Sequence, residues 1–143
     1  DRTQLAPAAG LHRGGYVLWE ASESPDVILI GTGSEVHIAV EAGKTLQESG
    51  TVARVVSLPS WELFDAQPAE YRNSVLPPGV SARVSIEAAT PLGWERYVGT
   101  QGTAIGISHF GASAPASELY ERFGLTAVRV AEAARDLLSR RPL

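Results

Sequence analysis

Apolar residues occur along this chain in two patterns, short apolar runs and longer stretches with a helical period. Residues 27–30 are Val-Ile-Leu-Ile, a run typical of a strand that is buried on both faces. From Glu35 to Glu48 apolar residues recur at intervals of three and four, which predicts a helix with one buried face. A buried strand that leads directly into such a helix is half of a βαβ unit. It indicates a mainly parallel sheet.

The same alternation of strand and helix continues to the end of the chain. Besides the strand at 27–32, apolar and β-branched runs predict strands at residues 16–20, 51–58, 80–86 and 103–107. Further helices are predicted at residues 61–76 in two pieces, 94–98, 115–123 and 126–138. Pro68 would open the second piece of the first of these, and Thr126 would cap the last helix. Five strands alternating with helices predict a three-layer α/β/α sandwich.

Length and composition restrict the classes of protein to consider. The 143 residues suit one domain, with polar residues 1–14 as a linker and 15–143 as the folded part. The net charge is −4 and the 12 basic residues are scattered, which argues against nucleic acid as a partner. No cysteine is present, so a disulfide, a zinc–thiolate site and a thiol nucleophile are excluded.

Hydropathy and the first residues of the sequence bear on the cellular compartment and on whether the chain is part of a longer one. No apolar run approaches the ~20 residues that span a bilayer, and no signal peptide opens the chain, so we expect a cytoplasmic protein without a membrane partner. The sequence begins at Asp1 and contains no methionine, which is typical of a piece of a longer polypeptide.

The turn after the second strand is the first candidate binding site. Gly31, Thr32, Gly33 and Ser34 resemble a phosphate-binding loop, since they place backbone N–H groups before a helix. The dinucleotide fingerprint, however, requires a third glycine where this chain has Val36. Chain geometry and helix capping are therefore the favoured role of these glycines, and binding of a small anion is the alternative.

Other residues with chemical potential form no recognisable site. The histidines lack metal-ligand spacing and are expected to be structural or at the surface; they are His12, His37 and His109. Glu87 ends the fourth predicted strand, where a helix cap or an interface salt bridge is favoured over acid–base catalysis. Large aromatic residues are expected to fill the core or a domain interface; they are Trp19, Trp61, Trp94 and Tyr97. We predict no catalytic residue and no metal ligand within the chain itself.

Several longer stretches, in order along the chain, resemble the carboxyl-terminal domain of transketolases. They include residues 14–18, 30–36, 53–59, 71–77 and 110–115, with Phe64-Asp65, Gln67, Trp94, 97–99 and 123–124 between them. The resemblance extends over residues 14–138, nearly the whole chain. It implies a five-stranded mixed sheet whose first strand is antiparallel to the others. That agrees with an edge position for residues 16–20.

The resemblance also implies an activity that belongs to a larger enzyme. Transketolases use thiamine diphosphate and Mg²⁺ or Ca²⁺ to move a two-carbon ketol unit from a ketose phosphate to an aldose phosphate, in the pentose phosphate pathway. Their preceding domains hold the cofactor, and two subunits form each active site in a homodimer. The carboxyl-terminal domain supports this architecture without touching the cofactor. The family's Gly-Asp-Gly diphosphate motif is absent from these 143 residues, so the isolated chain is expected to be inert.

One residue is linked by the resemblance to substrate binding. In the family, an arginine in the segment before this domain binds the sugar phosphate, and Arg2 aligns with it. Only Arg2 and Leu5 match that segment, so the role is expected in the intact enzyme alone. Two alternatives remain open: a free-standing regulatory module that binds a small anion at residues 31–35, and another thiamine enzyme such as a deoxyxylulose-phosphate synthase or a keto-acid dehydrogenase subunit.

Overall fold

Five strands form one mixed sheet in the computed structural model, which describes residues 5–107, 116–122 and 124–140. The strands are β1 (Tyr16–Glu20), β2 (Val27–Gly31), β3 (Ala53–Ser57), β4 (Arg83–Ile86) and β5 (Thr103–Ile105). Their order across the sheet is β1-β3-β2-β4-β5. Strand β1 pairs antiparallel with β3, and the other neighbours pair in parallel. This confirms the predicted mixed sheet with an antiparallel first strand at its edge.

Within the described residues, six α-helices lie against the two faces of the sheet. They are α1 (Val36–Glu48), α2 (Trp61–Asp65), α3 (Ala69–Val75), α4 (Glu95–Val98), α5 (Ala116–Arg122) and α6 (Ala127–Ser139). Helices α1 and α6 pack together on one face, while α2, α3 and α4 contribute to the core on the other. The three-layer α/β/α sandwich is therefore confirmed.

Strand β2 lies at the centre of both cores, and all five of its residues are buried. Val27 and Leu29 pack against α1 and α6, whereas Ile28 and Ile30 belong to the opposite core. Successive side chains of a strand point to opposite faces, so an uninterrupted apolar run is what a strand covered on both sides requires. The prediction made from residues 27–30 is confirmed.

Aromatic side chains fill the core beneath α2 and α4. Trp61 meets Trp94 edge to face at 5.0 Å between ring centroids, and Tyr97 lies 5.2 Å from Trp61. The Tyr97 hydroxyl donates to Asp65 Oδ1 over 2.9 Å, and Arg96 pairs with the other oxygen of that carboxylate at 2.8 Å. Burial, and then the hydrogen bond to Asp65, raises the pKa of Tyr97 above its usual range. The aromatic residues form a core, as expected.

Two arginines on β3 and β4, the strands on either side of β2, hold the end of α3 against the sheet. Arg54 of β3 donates to the carbonyls of Ser74 and Val75 at 2.9 and 3.2 Å, and to Glu20 Oε2 at 2.7 Å. Arg83 of β4 donates to the next two carbonyls, at 3.3 and 2.8 Å. The last carbonyls of a helix have no partner within it, so these guanidinium groups satisfy acceptors that burial would otherwise leave unpaired.

The fourth and fifth strands are shorter than predicted, because groups outside the sheet form hydrogen bonds with the backbone that would extend them. The fourth strand begins at Arg83 rather than at residue 80, because residues 77–80 form a turn and Arg83 Nε donates to the Val80 carbonyl at 2.9 Å. The fifth ends at Ile105, and the N–H of Ile107 donates to the Ala89 carbonyl in a neighbouring loop. Residues 110–115 and Phe123, part of the family resemblance, lie outside the described residues.

The last part of the predicted linker packs on the folded domain. Residues Ala8–Arg13 form a 3-10 helix, and the Arg13 guanidinium lies 4.6 Å above the ring of Tyr71. Gly14 follows with a φ of 80°, and a Cβ there would lie 2.4 Å from the Phe64 nitrogen. Glycine is needed at this position because both the conformation and the close approach exclude a side chain.

Replacing Arg54 should destabilise the fold more than replacing an exposed arginine. Arg54→Met leaves buried carbonyls and Glu20 without their donor, and we expect the free energy of unfolding to fall by about 3 kcal/mol. The matched variant Arg96→Met removes an ion pair whose arginine side chain is 55% exposed, so it should cost less than about 1 kcal/mol. Urea denaturation measures both. Equal losses would contradict the role assigned to Arg54.

Alkaline pH should reveal the environment of Tyr97. Since its pKa is raised in the fold, the unfolded chain loses this proton first, at pH values near the ordinary 10.0. The contribution of the protonated Tyr97 hydroxyl to the free energy of unfolding is therefore complete below about pH 10, and it is lost as the pH rises further. Tyr97→Phe should cost about 1 kcal/mol at pH 7 for the lost hydrogen bond, and the difference from wild type should narrow above pH 10. Urea unfolding at several pH values tests this; a constant or widening difference would contradict it.

Candidate functional site

The carboxyl ends of the parallel strands are where ligands meet open α/β sheets. In this fold β2 leads there into the predicted glycine turn, β3 leads into α2, and β4 leads into the loop 87–94. The 3-10 helix that precedes β1 lies at the same edge, since Tyr16 pairs with Ser57 at the end of β3 and the 3-10 helix contacts α2. The candidate residues of the turn and Glu87 are therefore brought to one edge of the sheet.

The turn itself is shaped by its glycines. Residues Gly33–Glu35 form a single 3-10 turn, and α1 begins at Val36 rather than at Glu35 as predicted. Gly33 has a φ of 59°, a left-handed conformation that favours glycine, and a Cβ on Gly31 would lie 2.9 Å from the Cα of Val36. No side-chain capping bond forms at Thr32. Both glycines thus have a geometric reason to be present.

Glu35 is a buried carboxylate within the same turn, with only 4% of its surface exposed. One oxygen accepts from the backbone N–H of Ala88, and the other accepts from the hydroxyl of Ser34. The carboxylate of Glu35 therefore lies at the turn, where its negative charge would repel a bound anion. This geometry favours a structural role for Gly31, Thr32, Gly33 and Ser34, while anion binding there stays a prediction.

Glu87 acts as a hydrogen-bond acceptor inside the domain. Its Oε1 accepts from Trp94 Nε1 over 3.2 Å, and its backbone N–H donates to the Ile105 carbonyl at 3.2 Å. The carboxylate is half-buried beside the aromatic core. Glu87 thus has a structural contact, but its partner is the Trp94 indole and not the helix end or the cation that the sequence favoured.

The described histidines are exposed at this edge and form no site, and the other predicted residues lie outside the described part of the chain. His37 is exposed, with Nδ1 close to the Ser34 carbonyl, and His12 is exposed in the first 3-10 helix. His109 and Arg2 lie outside the described residues. Within residues 5–107, 116–122 and 124–140, no group of three or more His, Cys, Asp or Glu side chains could hold a metal ion.

The sequence analysis did not identify the buried or half-buried charges of Glu35, Arg54 and Arg83. The one available signal was a charged residue inside or next to an apolar run. Such a residue is equally typical of a solvent-exposed position, and only the packing of neighbouring elements distinguishes the two.

In the part of the chain that the structure describes, no helix is long and apolar enough to cross a bilayer.

Comparison with known proteins gives a consistent result. Residues 14–126 match the family of transketolase-like TK C-terminal domains. The chloroplastic transketolase of Craterostigma plantagineum is 56% identical over 131 residues, which are 90% of this chain and 25% of the relative.

Solved structures agree with the sequence matches. Transketolase from Leishmania mexicana superposes with a TM-score of 0.87 at 42% identity, covering 96% of this chain and 20% of that one. Transketolase from Pichia stipitis, in complex with sedoheptulose 7-phosphate, has a TM-score of 0.80 at 41% identity, covering 89% and 18%. The chain spans a quarter or less of the length of these relatives.

Removing the buried carboxylate should test its structural role. Glu35→Ala leaves the Ala88 N–H without its acceptor, so we expect the free energy of unfolding to fall by about 2 kcal/mol. Glu41→Ala, on the exposed side of α1, should change it by less than about 0.5 kcal/mol. Urea denaturation compares the two. Equal stability of both variants, together with saturable binding of inorganic phosphate by the wild-type chain, would instead indicate an anion site.

Proposed function

The chain belongs to the transketolase family as its C-terminal domain, and on that premise we propose that it is the third domain of a ketol-transferring enzyme. That enzyme would move a two-carbon unit from a ketose phosphate to an aldose phosphate. The observation that carries the proposal is the match over residues 14–126 together with close structural agreement with whole transketolases. The free-standing regulatory module is not favoured by these relatives, nor is another class of thiamine enzyme.

Thiamine diphosphate and Mg²⁺ or Ca²⁺ would serve the complete enzyme, in domains other than this one. The residues described here do not fit the metal, because they include no group of three or more potential acidic, histidine or cysteine ligands. The sequence also has no Gly-Asp-Gly diphosphate motif. On the family resemblance, the reactive chemistry is proposed to belong to preceding domains of the same polypeptide, in a homodimer.

The substrates proposed are sugar phosphates. Transketolase from Pichia stipitis and its mutants have been crystallised with sedoheptulose 7-phosphate, xylulose 5-phosphate and fructose 6-phosphate. We assign no part of this chemistry to the strand ends of this domain, where Glu35 and Glu87 are occupied by hydrogen bonds to Ala88 and Trp94.

Arg2 is proposed to bind the phosphate of the substrate in the intact enzyme. A guanidinium presents paired N–H donors to phosphate and stays charged at working pH. Leu5 packs against the core, and the N–H of Ala6 donates to the Leu18 carbonyl at 2.8 Å. Arg2 is thus three residues from an anchored position, a reach of roughly 10 Å in extended chain.

A cytoplasmic location is the proposal for the compartment. The relatives in Craterostigma plantagineum and Solanum tuberosum are chloroplastic. Fractionation of the source cells with an antibody against this domain distinguishes the two, since enrichment in plastids would replace the cytoplasmic assignment.

The proposal predicts activity only when this domain joins the rest of a transketolase. The 143-residue chain with thiamine diphosphate, Mg²⁺, xylulose 5-phosphate and an aldose phosphate should form no product. A hybrid in which this chain replaces the C-terminal domain of the Craterostigma plantagineum relative should retain kcat within about tenfold of the parent. Turnover by the isolated chain, or an inactive hybrid that folds and dimerises like its parent, would overturn the proposal.

The same hybrid tests Arg2. Arg2→Leu should raise KM for the sugar phosphate at least tenfold, which corresponds to about 1.4 kcal/mol of binding. Arg13→Leu is the matched control, because that arginine stacks on Tyr71 within the domain. An unchanged KM in Arg2→Leu would remove the phosphate-binding role while leaving the family assignment in place.

A further inference from the structure

Residues 5–15 precede the first strand, yet contacts tie both of their ends to the folded domain. At the later end, the Gly14 carbonyl accepts from the N–H of Ser60 at 3.0 Å. The Gly15 carbonyl accepts from the hydroxyl of Tyr71 at 2.7 Å. The first residues of a domain are poorly ordered unless such contacts fix them. These bonds therefore make the segment part of the folded unit.

Leu5 fixes the other end of the segment. Its side chain is partly buried and packs on the core between the sheet and helices α1 and α6. The next residue, Ala6, donates its N–H to the Leu18 carbonyl at 2.8 Å. The two residues that follow Leu5 are exposed, so the apolar contact at this end comes from the Leu5 side chain.

The edge strand β1 is shaped to receive this end of the segment. Its register with β3 shifts between Val17 and Trp19, which is the pattern of a β-bulge at Leu18. The extra residue of a bulge is left out of the ladder, so its carbonyl can accept a bond from outside the sheet. Ala6 makes that bond, and Leu5 lies beside it.

We propose that Leu5 is a positioning residue for Arg2 and holds that arginine where it can bind the sugar phosphate. The inference rests on the proposed function, because the phosphate contact of Arg2 is part of it. Arg2 is three residues before Leu5 and twelve before Gly14. The effective concentration of a tethered group falls roughly as the −3/2 power of the tether length. A tether fixed at Gly14 alone would therefore dilute the guanidinium about eightfold.

Kinetics of the hybrid transketolase test this role. Leu5→Ala should raise KM for xylulose 5-phosphate about five- to tenfold and change kcat less than about twofold. Leu5→Met keeps an apolar side chain of similar volume and should restore KM. Leu11→Ala is the matched control, since Leu11 lies in the same segment and is 48% exposed. Equal effects of the two alanine variants, or a fall in kcat with unchanged KM, would overturn the inference.

A double-mutant cycle separates positioning from a general loss of structure. In the Arg2→Leu hybrid, Leu5→Ala should raise KM by less than about twofold, because the group that Leu5 positions is gone. Damage to the fold would act equally whether or not Arg2 is present. An equal fold-change in the two backgrounds would therefore overturn the role of Leu5.

The position of residue 2 can also be measured without activity. The chain contains no cysteine, so Arg2→Cys and Glu41→Cys, on the exposed side of α1, provide two sites for spin labels. Double electron–electron resonance gives the distribution of distances between the labels in the 143-residue chain. Adding Leu5→Ala should widen this distribution at least about 1.5-fold, whereas Leu11→Ala should leave it unchanged. Equal widths with and without Leu5→Ala would overturn the inference.

The outcomes distinguish this inference from the function on which it rests. An active hybrid whose KM is unchanged by Leu5→Ala overturns the positioning role and leaves the ketol-transfer proposal standing. A folded but inactive hybrid overturns the ketol-transfer proposal, and the label distances then decide the role of Leu5. A wider distribution in Leu5→Ala supports that role, and equal widths remove it.

Discussion

Two guanidinium groups set against the carbonyl end of α3 determine how one helical layer meets the sheet. Arg54 and Arg83 lie on either side of Ile28 in one row across three strands, and their donors reach four successive carbonyls from Ser74 to Pro77. A helix end buried without partners is costly, so α3 can pack here only because the sheet supplies donors. Arg83 also donates to the Tyr97 carbonyl at 2.7 Å, which extends the same constraint to α4.

Charged side chains hold neighbouring segments together at both ends of the sheet. Arginines stand near the amino ends of β3 and β4, whereas Glu35 and Glu87 stand beyond the carboxyl ends of β2 and β4. At both ends the charged group bonds to backbone or side-chain partners of neighbouring segments and holds them in place. Each end of the sheet is thus tied to segments that are distant from it in the sequence.

Much of the layout was predictable from local patterns. The apolar run of β2, the cap at Thr126, whose side chain accepts from the Arg129 N–H at 3.2 Å, and the helix start after Pro68 all depend on neighbours in the sequence. The start of β4 and the end of β5 were not predictable. The Val80 carbonyl accepts from the Arg83 side chain and the Ile107 N–H donates to the Ala89 carbonyl, so neither backbone group pairs with a neighbouring strand. At the candidate site the glycines were predictable, but Glu35 could not be recognised as buried without the loop after β4.

The sequence by itself determined the class of fold, the antiparallel first strand through its family resemblance, and the absence of the family's diphosphate motif, since each is a matter of pattern along the chain. Only the tertiary structure decided which charged side chains are buried and which of them bond to distant segments. The physical reason is that burial and contact depend on segments far apart in sequence: Arg54 meets Ser74, Glu35 meets Ala88, and Gly93 meets Trp61 only after the sheet has formed.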